Sequence, residues 1–185
     1  MRFGRHLSVI FETHATSLDN EAGLASGWFD IDLSAVGEDQ ARKLGERRRA
    51  DDLAAVYCSD LRRAWRTAEL AFGGRRVPIA RDSRLRECDY GALTRRPATE
   101  IEAVRGDHLM TPFPGGESYQ QCVQRVAGCL EEIAELAALH NGRTVLIIGH
   151  RATLYALQHL LDDEPLERVI AVPWRWQPGW QFLPK

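Results

Sequence analysis

Leu7-Ser8-Val9-Ile10-Phe11-Glu12-Thr13-His14 is the stretch on which the fold turns. Its apolar run is short and β-branched, which suits a buried strand, and it delivers the chain to a histidine just past the strand end. The arrangement recurs near the other end. Thr144-Val145-Leu146-Ile147-Ile148 is the most apolar strand run of the chain, and Gly149-His150 follows at once. Between them, residues 53–57 make a second short strand that ends in Cys58-Ser59.

Helical spacing fills the intervals. Ser34 offers an N-cap to a helix reaching Arg49, with Ala41 and Leu44 on its apolar stripe. Leu61, Ala64, Trp65, Ala68 and Phe72 recur at i, i+3, i+4, i+7 and i+11, one face of a helix capped by Ser59 or Asp60. Gly73-Gly74 stops it, and residues 77–80 form a third strand in which Pro78 suits a strand start or an edge. Residues 93–116 carry Pro97, Pro112 and Pro114 with weak periodicity apart from Ile101 to Val104, and read as a loop-rich lid. A long helix follows over 117–139, ended by Gly142, and another over 152–161. The tail, 169–182, reads as two short strands around Gln177-Pro178-Gly179, an antiparallel edge, with Trp174, Trp176 and Trp180 packing it onto the core. Strands alternating with amphipathic helices imply a single α/β domain over residues 1–185, with a mostly parallel central sheet covered by helices on both faces.

The 185 residues suffice to bury a core without disulfides or structural metal. A net charge of −2 gives no global reason to expect a nucleic-acid or membrane-surface partner, which leaves small molecules. Lysine occurs only at Lys43 and Lys185, so runs such as Arg47-Arg48-Arg49 and Arg75-Arg76 read as compositional bias on solvated faces. The four cysteines show no CxxC or paired zinc-ligand spacing and read as reduced thiols, Cys88 as a small core filler. No apolar run approaches the ~20 residues of a membrane span. A cytoplasmic protein is expected.

In open α/β sheets, ligands sit outside the carboxyl ends of the strands, where connections diverge. His14, Ser59 and His150 each fall just after a strand, so neighbouring parallel strands would bring all three to one sheet edge. Arg63 lies in the first turn of the helix that Ser59 opens, where a guanidinium and free backbone N–H groups suit an anion. Two imidazoles, an arginine and a nearby carboxylic acid are what phosphoryl transfer through histidine requires. One neutral imidazole attacks phosphorus, the cations spread charge over the equatorial oxygens, and the acid protonates the departing alkoxide. Neither a metal nor a cofactor is expected.

Six ordered segments, spanning residues 7 to about 160, resemble the histidine phosphatase (phosphoglycerate mutase-like) superfamily. Thr13-His14-Ala15-Thr16-Ser17 with Asn20 stands where that family has RHG, then a Thr and an Asn. Ser34 to Gly37 with Gln40-Ala41 is similar to its LTxxGxxQA, and the segment from Ser59 to Ala68 to its SxLxRAxxTA. Leu85-Arg86-Glu87 resembles the stretch that supplies the acid, Pro114-Gly115-Gly116-Glu117-Ser118 its PGGES turn, and Gly149-His150 the second histidine. The resemblance implies a phosphoglycerate mutase-like three-layer sandwich. It further implies His14 as phosphohistidine nucleophile, Glu87 as proton donor and Arg63 and His150 as phosphate ligands. Asn20 falls near the substrate or serves as a turn residue, and Thr13 and Ser17 complete the binding set. The short chain lacks the large insertion typical of the mutases, which favours phosphatase activity on a small phosphorylated molecule. A homodimer is left open.

Three positions depart from the pattern: Thr13 replaces the motif arginine, Ala15 the glycine, and Glu12 an aliphatic residue. Losing one preorganised donor of this kind costs about 10²–10³ in rate. Either another cation substitutes, or the ligand is less anionic than a phosphate monoester and the chain is a repurposed binding or regulatory protein, or catalysis has decayed. Arg151, directly after His150, is the candidate substitute; the alternative has it facing solvent or pairing with Glu12. The Arg5-His6 pair precedes the first strand and would lie at the opposite sheet edge from His150. His108 and His140 receive no role.

Overall fold

A computed structural model describes residues 7–139 and 143–183; Arg5-His6, His140 and Gly142 lie outside the described residues. Five strands form one sheet: β1 Val9–Thr13, β2 Leu53–Ser59, β3 Ile79–Asp82, β4 Thr144–Gly149 and β5 Trp180–Phe182, in the order β3-β2-β4-β1-β5. The first four run parallel, and β5 pairs antiparallel with β1 at the edge. Pro78 immediately precedes β3, the opposite edge, where its missing N–H costs the sheet nothing.

Strand alternation explains the two apolar layers. Val9, Phe11, Val145 and Ile147 face one side; Ile10, Leu146 and Ile148 face the other, and all are buried. Helices α5 (Tyr119–Leu139), α6 (Arg151–Leu161) and α7 (Leu166–Ala171) cover the first side. The second lies under α2 (Ala35–Arg47) and α3 (Arg62–Phe72). This is the expected three-layer architecture. The chain leaves β1 towards α2 and leaves β4 towards α6, on opposite faces. β1 and β4 are neighbours, so their carboxyl ends flank the point where the connections diverge.

The caps refine the expected boundaries. Ser34 Oγ accepts from Gly37 N–H at 3.1 Å, as expected for the start of α2. At α3, however, neither Ser59 nor Asp60 is the N-cap: Leu61 occupies that position with no side-chain cap of its own. Arg62 N–H instead donates to Asp30 Oδ1 at 2.6 Å, from a loop 32 residues upstream. The N–H group expected to await an anion is therefore already partnered.

Two further expectations need correction. Residues 93–116 are not wholly loop; they contain α4 (Ala98–Val104) and a 3-10 turn over Arg105–His108. The tail holds one strand rather than two, because residues 166–171 form α7 and only Trp180–Phe182 pairs with β1. A small helix, α1 (Leu18–Glu21), follows the His14 loop. No helix among the described residues is long and apolar enough to cross a membrane.

Candidate active site

His14 and His150 leave the carboxyl ends of adjacent parallel strands, whose last registered pair is Thr13 with Gly149. Their rings meet with centroids 5.0 Å apart and planes tilted by 56°. His14 Nδ1 lies 2.7 Å from the carbonyl oxygen of Ala15. A carbonyl only accepts, so Nδ1 carries the proton and Nε2 keeps its lone pair. Burial, reinforced by the Arg63 charge and opposed by the bond to Ala15, lowers the His14 pKa to about 3. His150 is 1% exposed and is held well below the usual range by burial, then by Arg63 and His14. Both imidazoles are therefore neutral at physiological pH, so His14 needs no base to become a nucleophile.

Arg63 is the largest of the fully buried side chains. Its Nη1 donates to Phe29 O at 3.1 Å and its Nη2 to Gly27 O at 2.8 Å, which fixes the guanidinium beside both histidines. Glu87 faces the site from the other side. Its Oε1 accepts from Cys88 N–H (2.8 Å) and Ala152 N–H (3.1 Å), and its Oε2 from Arg151 N–H (3.2 Å). The first turn of α6 thus orients this carboxyl group, and Oε2 has a single donor among the described residues. These side chains open on a cavity of about 670 Å³.

The profile of the histidine phosphatase superfamily (branch 1) matches residues 9–176. The chain belongs to this superfamily. It is 32% identical over 190 residues to the 2,3-bisphosphoglycerate-dependent phosphoglycerate mutase of Corynebacterium diphtheriae, a match covering 84% of this chain and 77% of the mutase. The structure of the alpha-ribazole phosphatase of Shigella flexneri aligns with a TM-score of 0.76 at 26% identity, over 88% of this chain and 83% of that one. A mycobacterial glucosyl-3-phosphoglycerate phosphatase complexed with VO3 shares the fold, with a TM-score of 0.79 at 23% identity over 90% of this chain and 87% of that one.

Among the superfamily motif positions, most are scaffold. Gly37 lets α2 approach the His14 loop: a Cβ there would stand 1.9 Å from Thr16 O. Gln40 Oε1 accepts from Thr16 N–H and Oγ1–H. Thr67 Oγ1 accepts from Ala15 N–H at 3.0 Å and donates to Arg63 O at 2.7 Å, joining the His14 loop to α3. The Pro114–Ser118 turn plays the same part for Glu87. A Cβ at Gly116 would meet Asp89 O at 2.1 Å. Arg125 spans Glu117 and the Glu87 carbonyl, donating to the latter at 2.9 Å.

Of the predicted site residues, His14, Glu87, His150, Arg63, Thr13, Asn20 and Arg151 line the cavity. Ser17 does not. It is fully buried and caps α1, its Oγ accepting from Asn20 N–H while Asn20 Oδ1 accepts from Ser17, so Asn20 is both a turn residue and a cavity residue. Ala15 has no left-handed backbone, so nothing in the local conformation requires glycine there. Glu12 is not Arg151's partner: it is buried against Arg47 (3.1 Å) and Arg48 (2.7 Å). Arg48 is thus largely withdrawn from solvent and Arg75 is half-buried, donating to the Arg48 and Asp51 carbonyls, whereas Arg47, Arg49 and Arg76 lie exposed as expected. Arg151 pairs with Glu102 at 2.7 Å.

Sequence reasoning missed the wall. Trp174 and Trp176 line the cavity instead of only packing the tail, with Trp174 stacked on Trp180. Glu102 and Arg105 join them from α4 and the 3-10 turn after it. The loop carrying Gly27, Phe29 and Asp30, which positions Arg63 and caps α3, has no periodicity to reveal it. All four cysteines are free and buried, as expected, and burial pushes the Cys88 thiol far above its ordinary range.

Proposed function

We propose that this chain is a metal-independent phosphatase that hydrolyses a small phosphorylated metabolite through a phosphohistidine on His14. The observation that carries the reading is the His14 ring: Nδ1 anchored on Ala15 O, Nε2 free, and the imidazole neutral beside Arg63. His14 Nε2 forms a bond to phosphorus as the phosphorus–oxygen bond of the ester breaks. Glu87 passes a proton to the departing alkoxide, Arg63 and His150 hold the phosphoryl oxygens, and Thr13 and Asn20 border the substrate. Water then attacks phosphorus as the bond to His14 Nε2 breaks, Glu87 takes the water's proton, and phosphate leaves. The curated relative's name supports phosphoryl chemistry, and the alpha-ribazole phosphatase supports hydrolysis.

A screen of phosphate esters with EDTA present, comparing wild type with His14→Ala, tests this. Turnover confined to wild type is expected; no turnover, or equal turnover in both, contradicts it. A mutase would instead depend on a bisphosphorylated primer. Thr13, with no charge where the motif has arginine, favours a second reading, a repurposed protein that binds a less anionic ligand. That reading requires the cavity to take a neutral ligand and to reject phosphate and vanadate.

A further inference from the structure

The lid helix α4 and the start of α6 meet over the cavity through one guanidinium. Arg151 Nη1 donates to Glu102 Oε1 at 2.7 Å, Nε donates to the Tyr155 hydroxyl, and the group lies 5.5 Å from the Trp174 ring centre. Nη2 is buried and finds no acceptor among the described residues. A buried donor left unmade is costly, and the ligand that best removes the cost is an anion. Arg105 sits beside the pair, its Nη2 3.8 Å from Glu102, so two guanidiniums share one carboxylate and the local charge is net positive.

Placement points the same way. Thr13 is the cross-strand partner of Gly149, adjacent strands lie about 4.8 Å apart, and Arg151 opens α6 two residues past Gly149. Its backbone N–H already holds Glu87. A cation rooted there reaches the cavity from the strand next to the one whose residue 13 carries no charge, and Arg151, Thr13 and His14 line the same cavity.

Building on the phosphoryl site described above, we infer that Arg151 is a ligand of the phosphoryl oxygens, supplying from the end of β4 the charge absent at Thr13, with Glu102 as the counter-ion that the anion partly displaces. Nη2 donates to a non-bridging oxygen while the bond from His14 Nε2 to phosphorus forms and the ester bond breaks. Arg151 itself gains and loses no proton.

Calorimetric titration with inorganic phosphate reads this without needing turnover. Arg151→Gln should weaken phosphate about tenfold, the scale of one charge-assisted hydrogen bond, and Arg151→Lys should weaken it less. Thr13→Arg should restore binding in the Arg151→Gln background. Glu102→Gln should tighten phosphate about threefold in wild type and leave it unchanged with Arg151→Gln, a coupling of contacting groups. A merely structural role for Glu102 predicts the opposite sign, and this half-exposed position offers a readout even if Arg151→Gln fails to fold. Phosphate affinity indifferent to Arg151, weakened by Glu102→Gln, or absent in wild type overturns the inference. Arg151-dependent phosphate binding without ester turnover upholds it and removes the phosphatase reading. Turnover with Arg151-independent binding does the reverse.

Discussion

The floor of the cavity and its wall are held by different kinds of contact. At the floor, scaffold residues grip backbone: Thr67 on Ala15, Gln40 on Thr16, Arg63 on the Gly27 and Phe29 carbonyls, and the first turn of α6 on Glu87. At the wall, side chains meet side chains: Arg151 with Glu102 and Tyr155, and Trp174 with Trp180. Backbone clamps fix reacting atoms to within a fraction of an ångström, whereas ion pairs between long side chains can exchange partners. On the phosphatase reading proposed above, the reacting groups sit at the floor, and the wall supplies ligand choice and, through Arg151, one further contact to the phosphoryl oxygens.

The largest effects belong to the floor. Glu87→Gln should slow esters with poor leaving groups by about 10²–10⁴ and an activated aryl phosphate far less, because the latter needs little proton donation. Steady-state kinetics on a leaving-group series checks this; equal slowing throughout would remove Glu87 from the role of acid. Arg63→Ala should cost about 10²–10³ in kcat/KM, and it also strips the buried Gly27 carbonyl and the partly buried Phe29 carbonyl of their donor. Intact activity there would break the distinction between floor and wall.

Smaller effects sharpen it. Thr67→Val leaves the Ala15 N–H unpaired in a buried place, a loss of about 1–3 kcal/mol. Melting should fall by about 2–4 °C for each kcal/mol, with kcat lowered as the His14 loop loosens. Trp176→Ala, 63% exposed at the rim, should alter KM between substrates by less than about tenfold and leave kcat on a small ester nearly unchanged. A kcat loss as deep as that of Arg63→Ala would place chemistry in the wall.

The histidines add a pH signature. In the unfolded chain His14 titrates near 6.5 and in the fold near 3, so between those values the unfolded state binds protons that the folded state refuses. Stability is fully present above pH 6.5 and is lost as pH falls toward 3. Melting temperature should therefore drop more steeply from pH 7 to 5 in wild type than in His14→Asn; parallel curves would mean that His14 is not desolvated.

How much of this the sequence discloses follows the same division. The strands ending at Thr13 and Gly149 and the α3 face from Leu61 to Phe72 are legible because local periodicity and burial agree. Ser34 is legible because a cap is a local event. The Asp30 cap of α3, the Arg47 and Arg48 clamp on Glu12, and the Glu102 partner of Arg151 are long-range pairings between charged residues, and charge alone names no partner. The single tail strand is obscure for another reason: residues 166–171 are apolar at a spacing short enough to suit strand or helix, and packing onto the α5–α6 layer decides for helix. Ser17 shows the converse, since a hydroxyl in a motif can serve the loop's own cap rather than a ligand.

The most direct test of the whole account is rapid quench into alkaline detergent during turnover of a ³²P-labelled phosphate ester, followed by mapping of label on the protein under basic conditions. The account predicts a phosphoryl group on His14 that survives base, is lost in acid as the phosphoramidate nitrogen is protonated, and is absent in His14→Ala. Steady turnover with no protein-bound label, or label that persists in His14→Ala, would contradict it.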